Sequence, residues 1–174
     1  MIYRLLILPY LSYGICVWGR AAKSYIGKLQ KRALRLIYFA PSDAHAIPLF
    51  IQSKILPVNM IYFDAIVNLM HDIWKKLAPS PIRDLFTRSN EIHGYNTRHA
   101  AKGNYLRKGV KSEIFKRSFS RTGAILWNQI SPDLRDLSKP IFKKTMRRYL
   151  FETLSDRDDY VEVDTLTQVL KFSS

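Results

Sequence analysis

The chain has 174 residues, 47% of them apolar, and 28 lysines and arginines against 14 acidic residues give it a formal net charge of +14. This apolar content is enough for a buried core, which excludes an intrinsically disordered chain, and the length allows one compact domain or two small helical lobes. From Glu152 onward six acidic and two basic residues give a net charge of −4, so residues 1–151 carry +18. Such a field attracts polyanions, foremost the phosphate backbone of nucleic acids, with an anionic membrane surface as the alternative.

The first predicted element is a buried helix over residues 3–18, broken or kinked near Pro9. The same run resembles a signal peptide, but Pro9 and Gly14 interrupt it and it is too short to cross a bilayer comfortably. We therefore expect no membrane partner. A chain that opens directly into an apolar, core-type run is typical of a fragment of a longer protein.

Ser24 is predicted to cap an amphipathic helix that runs to about Phe39. At about 100° per residue, apolar side chains gather on one side of this helix and basic side chains on the other. The apolar side holds Ile26, Leu29, Ala33, Leu36 and Ile37, and the basic side holds Lys28, Lys31, Arg32 and Arg35. We expect the apolar side to face the core and the basic side to face solvent.

After a short helix at residues 47–53, apolar residues recur at steps of three and four from Val58 to Leu77. This spacing predicts a long core helix that begins after Pro57 and ends before Pro79. One further helical turn is expected near residues 82–87.

Residues 88–112 are rich in glycine, asparagine and basic residues and poor in apolar ones, which predicts a long basic loop. Helices are expected over residues 118–130, in a short turn after Pro132, and from Ser138 to about Leu154. On the last of these, basic residues lie beside an apolar side.

The sequence thus predicts an all-α fold in four parts. They are a helical region over residues 1–87, the basic loop over 88–112, a C-terminal helical lobe over 113–154 and an acidic tail over 155–174.

Residues for catalysis, metals or cofactors are sparse. Cys16 is the single cysteine, so neither a disulfide framework nor a zinc knuckle can form, and it indicates a reducing, nuclear or cytoplasmic compartment. The histidines (His45, His71, His93 and His99) lack metal-ligand spacing, and we interpret them as surface or loop residues. No metal site and no cofactor are expected.

Phosphodiester chemistry on paired metal ions needs converging carboxylates. The adjacent pair Asp158-Asp159 lies in the acidic tail and lacks the flanking apolar strands of a polymerase palm. No glycine-rich phosphate loop is present in the sequence. We therefore expect a binding protein rather than an enzyme. The alternative to nucleic-acid binding is a helical protein–protein interaction module whose basic faces are merely solvated.

Five strings of residues, in this order, resemble one family. They are Leu8-Pro-Tyr-Leu-Ser-Tyr-Gly-Ile-Cys-Val-Trp-Gly19, Leu29-Gln-Lys-Arg-Ala-Leu-Arg35, Tyr95-Asn-Thr-Arg98, Trp127-Asn128 and Phe142-Lys-Lys144. From about Leu5 to Leu154 the chain resembles the C-terminal portion of reverse transcriptases from non-LTR retrotransposons, the jockey-like LINE elements. Two departures are the delayed proline, Pro132, after Trp-Asn, and the acidic tail, which matches nothing in the family.

The resemblance implies that residues 1–40 correspond to the thumb of an RNA-directed DNA polymerase, within a thumb-like region over 1–87, and the rest to the region after the thumb. It implies contacts with template–primer duplex, element RNA or target DNA, and with the palm and fingers of the parent polymerase. The family's catalytic residues have no counterpart here. Trp18, Trp74 and Trp127 are expected to be core anchors. The expected nucleic-acid-binding residues are Lys28, Lys31, Arg32, Arg35, Tyr95, Arg98, Lys102, Arg107, Lys108, Lys111, Lys143, Lys144, Arg147 and Arg148.

Overall fold

A computed structural model of the chain describes residues 3–19, 23–91, 102–107, 109 and 112–155. Throughout these ranges every regular element is a helix, and the one β-type feature is an isolated antiparallel bridge between Arg88 and Tyr105. The predicted all-α fold class is confirmed.

The α-helices are short except for three. They are α1 (Leu8–Ser12), α2 (Ile15–Trp18), α3 (Lys23–Ile37), α4 (Ala46–Ser53), α5 (Val58–Trp74), α6 (Ser80–Arg83), α7 (Glu113–Lys116), α8 (Phe119–Trp127), α9 (Pro132–Asp136) and α10 (Lys139–Ser155). A π-helical turn, Tyr3–Ile7, precedes α1, and a 3-10 turn, Ser89–Glu91, follows α6. Every segment predicted as helical contains helical residues, and α7 is an addition to them, but the helix predicted over residues 3–18 is divided into the π-helical turn, α1 and α2.

The described chain divides into two compact units. The first comprises residues 3–65 and 144–155, and the second comprises residues 66–143 apart from those outside the description. The division falls inside α5 and inside α10, whereas the predicted boundaries lie at the two ends of the basic loop and before the acidic tail. Residues 113–154, predicted as one lobe, are therefore shared between the two units.

A buried glutamine organises the first unit. Gln30 lies on α3, and its Nε2 donates to the Tyr3 hydroxyl at 2.6 Å and to the Leu56 carbonyl at 2.9 Å. Its Oε1 accepts a hydrogen bond from the Val58 backbone N–H at 2.8 Å. The first N–H groups of a helix have no partner within the helix, so Gln30 supplies one to the start of α5. One side chain thereby connects the N-terminal segment, α3 and α5.

The N-terminal segment differs from the buried helix that the sequence predicts. Pro9 sits in the first turn of α1, where a proline is tolerated, and the break occurs instead at Gly14, whose φ is +60°. Tyr3 and Ile15 are buried, but Tyr13 is 84% and Val17 is 89% exposed. The prediction of a buried helix was therefore wrong, and much of this apolar surface faces outward.

Helix α3 is also oriented differently from its prediction. Its buried residues are Gly27, Gln30 and Leu34, whereas Leu29 and Leu36 are 45% and 69% exposed. At about 100° per residue, the buried side is rotated by roughly 100° from the predicted apolar side. Ser24 lies inside the helix rather than before it, so the predicted cap position was wrong.

Three helices end in a left-handed residue that is not glycine. These residues are Phe39 after α3, Lys54 after α4 and Lys76 after α5, with φ of +50°, +52° and +60°. Each is followed by a backbone N–H that reaches back across the last helical turn, as at Leu77 N–H to the Asp72 carbonyl, 2.8 Å. This is the pattern of a Schellman motif, in which glycine usually takes the left-handed position.

Helix α5 is buried on nearly all sides, as its periodicity predicts, and it begins immediately after Pro57. The helix ends at Trp74, so Leu77 lies beyond it and is exposed, contrary to the predicted core position. Among the described residues no single helix is long and apolar enough to cross a membrane, whereas α4 and α5 pass that test as a pair bent by 47°.

Aromatic rings fill the core of the second unit. The Trp127 side chain is fully buried, and its ring lies 6.0 Å from both the Trp74 and the Phe142 ring centroids. The expectation that Trp127 anchors the core is confirmed. His71 stacks on Phe142 with ring centroids 4.4 Å apart, so its interpretation as a surface residue was wrong.

Candidate nucleic-acid interface

Helix α10 carries an exposed basic surface in the first unit. Arg147 and Arg148 lie three and four residues after Lys144, and all three side chains are exposed. Their opposite neighbours Met146 and Leu150 are fully buried, which fixes the basic side towards solvent. Residues three and four apart lie on one helix face, so the three cations form a short continuous stripe.

Within the described residues, the cations of this stripe are largely uncompensated. Arg148 Nε lies 3.7 Å from Glu152 Oε1, an exposed pair of the kind that contributes little. No carboxylate of the described chain forms an ion pair with Lys144 or Arg147. The stripe is therefore available to an external anion. In the second unit, the α10 residue Lys143 is exposed as well, whereas Lys139 Nζ donates to Asp72 Oδ2 at 2.8 Å.

The four predicted basic residues of α3 separate into two kinds. Lys28 and Arg32 are exposed. Arg35 is partly buried, and its Nε and a terminal guanidinium nitrogen both donate to the Ala44 carbonyl, at 2.9 and 2.7 Å. This pair of bonds holds the turn after α3. Arg35 is therefore a structural residue of the first unit, and Lys31 is likewise half-buried.

The solvent face of α3 mixes basic and apolar side chains. Tyr25, Leu29 and Leu36 are exposed alongside Lys28 and Arg32. By helical spacing these five positions fall on one side, opposite Gln30 and Leu34. The face is thus more apolar than the purely basic one that the sequence predicts.

The predicted basic loop falls partly outside the described residues. Tyr95, Arg98, Lys108 and Lys111 lie there, while Lys102 and Arg107 are described and exposed. The described ends of the loop pair with each other: Ser89 N–H donates to the Asn104 carbonyl and Leu106 N–H to the Thr87 carbonyl, each at 2.9 Å. The loop therefore starts from a fixed base.

Arg135 is a central support of that base. It is almost completely buried, and it donates to the Ile130 carbonyl, the Lys102 carbonyl and Asn104 Oδ1 at 2.8–2.9 Å. Burial lowers the pKa of its guanidinium from the ordinary value, although an arginine keeps its proton in proteins. Its carbonyl and amide partners, rather than a carboxylate, satisfy the buried N–H groups.

Asn128 is the second support. Its Oδ1 accepts from the Tyr105 N–H at 2.9 Å and its Nδ2 donates to the Tyr105 carbonyl at 2.8 Å. The Asn128 side chain thus bonds to both backbone groups of Tyr105, as a neighbouring β-strand would. Gly103, with φ of +62°, packs so closely on Trp74 that a β-carbon would lie 2.7 Å from the ring.

A cation also stacks on the Trp74 ring. The Arg88 guanidinium carbon lies 4.4 Å from the Trp74 ring centroid, within the range of a cation–π contact. Arg88 therefore belongs to the structural base of the loop rather than to a free basic patch.

Gln30, Asn128 and Arg135 are important residues that the sequence did not assign a role. Asn128 belongs to a string that resembles the retrotransposon family, which is a usable signal. Gln30 and Arg135 had no such signal, because their partners lie 26 or more positions away in most of their bonds.

Groups suited to catalysis do not converge in the described ranges. His71 Nε2 donates to the Leu137 carbonyl at 3.0 Å, and its Nδ1 is buried without a partner there. Burial lowers the pKa of His71, which favours the neutral ring, and burial raises the pKa of the Cys16 thiol. No group of three or more potential metal ligands occurs in the part of the chain that the structure describes. Asp158-Asp159 lies outside it.

Comparison with known proteins assigns no family to the chain. No protein-family model, no curated protein sequence and no solved structure matches this chain.

Proposed function

We propose that this chain binds nucleic acid through the exposed cations of α10 and α3. The observation that carries the proposal is the α10 stripe, in which Lys144, Arg147 and Arg148 are exposed over a fully buried apolar side. The net charge of +18 over residues 1–151 supports it, because a field of that size draws in phosphate backbones. Contacts of this kind are made to phosphates, so binding has little sequence preference.

Fluorescence anisotropy with single-stranded RNA at several salt concentrations tests the proposal. The logarithm of the affinity should fall linearly with the logarithm of salt concentration. The double variant Lys144→Gln/Arg147→Gln should lower the slope by about 1.4 units if both residues contact phosphates, at about 0.7 per contact.

The matched control is Lys54→Gln/Lys76→Gln, which removes the same charge from exposed residues outside both faces. Equal loss of affinity in the two double variants would mean that net charge alone drives binding. A flat salt response of the unaltered protein would refute the proposal.

A second candidate function is a protein–protein interaction module. Leu29 and Leu36 favour it, since exposed leucines on a helix face are typical of a surface that packs against a partner. An apolar partner would be bound with little salt dependence, which separates this candidate from the first.

We also propose that the chain is related to the C-terminal region of non-LTR retrotransposon reverse transcriptases. The five ordered strings between Leu8 and Lys144 support the relationship, and a polymerase palm encoded upstream of Met1 would test it. As this chain alone, the protein should not extend a primer in the presence of template, nucleotides and magnesium or manganese. Extension that disappears on Asp158→Asn would contradict this part of the proposal.

A further inference from the structure

The solvent face of α3 is an unusual surface for a helix that contributes to a core. Tyr25 is 66% exposed, and the leucines at positions 29 and 36 extend the apolar strip along the helix. The strip spans nearly the whole of α3, which at 15 residues is roughly 22 Å long. Lys28 and Arg32 lie within it. A ligand for this face must therefore bring both apolar side chains and negative charge.

The chain itself contains a segment of that chemistry. Residues 156–174 include Asp156, Asp158, Asp159, Glu162 and Asp164 against two basic residues, a net charge of −3. Apolar residues are interspersed with and follow these acids, among them Val161, Val163, Leu166, Val169 and Leu170. This composition complements the α3 face in both respects.

The connection is also long enough. The segment follows α10, and the last described residues of α10 belong to the same unit as α3. Nineteen residues span up to roughly 60 Å when extended. A compact unit of roughly 75 residues, the size of the first unit, has a radius of gyration of only about 11 Å. The segment can therefore reach any face of the first unit.

We propose that residues 156–174 dock in cis on the α3 face formed by Tyr25, Lys28, Leu29, Arg32 and Leu36. Docking covers the apolar strip and neutralises Lys28 and Arg32. Where the proposed function holds, on which this consequence rests, the tail competes with nucleic acid for α3 and leaves the α10 stripe as the permanent contact. The tail is then an internal regulator of affinity.

Photo-crosslinking in the full chain tests the docking directly. A benzoylphenylalanine in place of Tyr25 preserves an exposed aromatic, so the fold should be unaffected. We expect crosslinks within one chain to peptides from residues 156–174, identified by mass spectrometry. The matched control places the same group at Ile141, an exposed apolar position of α10 outside the α3 face, where docking on that face predicts a much lower yield of crosslinks to the tail.

The role of charge is tested in the same chain. Changing the five tail acids to asparagine or glutamine should lower the crosslink yield by about threefold, since the face offers two cations and each exposed ion pair contributes little. An unchanged yield would show that the acids do not contribute. Crosslinks between two chains would mean that a second copy covers α3. Absence of any crosslink to the tail would overturn the proposal.

Adding single-stranded RNA separates this inference from the proposed function. Loss of the tail crosslink on RNA addition is the expected result. A tail crosslink that persists while RNA is bound would leave docking intact and overturn the competition. A tail crosslink in a protein that binds no RNA would leave docking intact and refute the proposed function.

Discussion

Removing the Gln30 amide should lower the free energy of unfolding by far more than the loss of a few buried atoms alone would. The side chain satisfies the Leu56 carbonyl, the Val58 N–H and the Tyr3 hydroxyl, all in a buried environment. Each such hydrogen bond contributes about 1 kcal/mol net, and an unsatisfied buried partner costs about 1–3 kcal/mol. Gln30→Ala should therefore lower the free energy of unfolding by about 3 kcal/mol.

The variant Gln30→Met separates hydrogen bonding from packing. Methionine fills a similar volume but leaves the three partner groups unsatisfied, so its cost should be as large as that of alanine. Urea unfolding followed by circular dichroism measures both variants, with the change read from the midpoint at constant slope. Gln52→Ala, an exposed glutamine on α4, is the control and should change stability by less than about 0.5 kcal/mol. A methionine variant within about 0.5 kcal/mol of the unaltered protein would refute the reasoning.

Three further predictions concern the second unit and the helix ends. Asn128→Ala should cost about 2 kcal/mol because both Tyr105 backbone groups lose their partner, and Asn128→Asp, which puts a carboxylate oxygen against the Tyr105 carbonyl in place of the N–H donor, should cost at least as much in the same urea assay. Lys76→Gly should raise the free energy of unfolding by about 0.5–1 kcal/mol by relieving a left-handed φ of +60°, whereas Lys76→Ala should give no such gain. Because burial lowers the pKa of His71, the unfolded chain takes up a proton at a higher pH than the folded chain does. The free energy of unfolding should be highest above pH 6.5 and should decrease as the pH falls below it. His71→Phe should reduce this decrease, whereas the control His45→Asn, at an exposed position, should not.

Arg35 illustrates why a basic face cannot be assigned from periodicity alone. Helical spacing places it with Lys28 and Arg32, yet its guanidinium donates twice to the Ala44 carbonyl. A charge reversal at Arg35 would therefore disturb the turn after α3 as well as any phosphate contact. Binding tests on α3 are cleaner at Lys28 and Arg32.

Local sequence determined the elements of this protein. Apolar residues recur at steps of three and four over α5, and prolines flank the helix. Together they predict its ends within a few positions of the observed ones. The basic side of α10 was also predictable, because Met146 and Leu150 define an apolar side and the arginines lie away from it. Both features depend on side-chain spacing along one helix, which the sequence contains in full.

Tertiary structure alone decided which side of α3 is buried and which polar residues the core retains. The side of α3 that carries Gln30 is buried, because the Gln30 amide bonds to the Leu56 carbonyl and to the first N–H group of α5. Leu29 and Leu36 lie on the opposite side of the helix and are therefore exposed. The burial of His71 against Phe142 joins residues 71 positions apart in the chain. Such pairings depend on groups brought together from distant segments, and no local pattern encodes them.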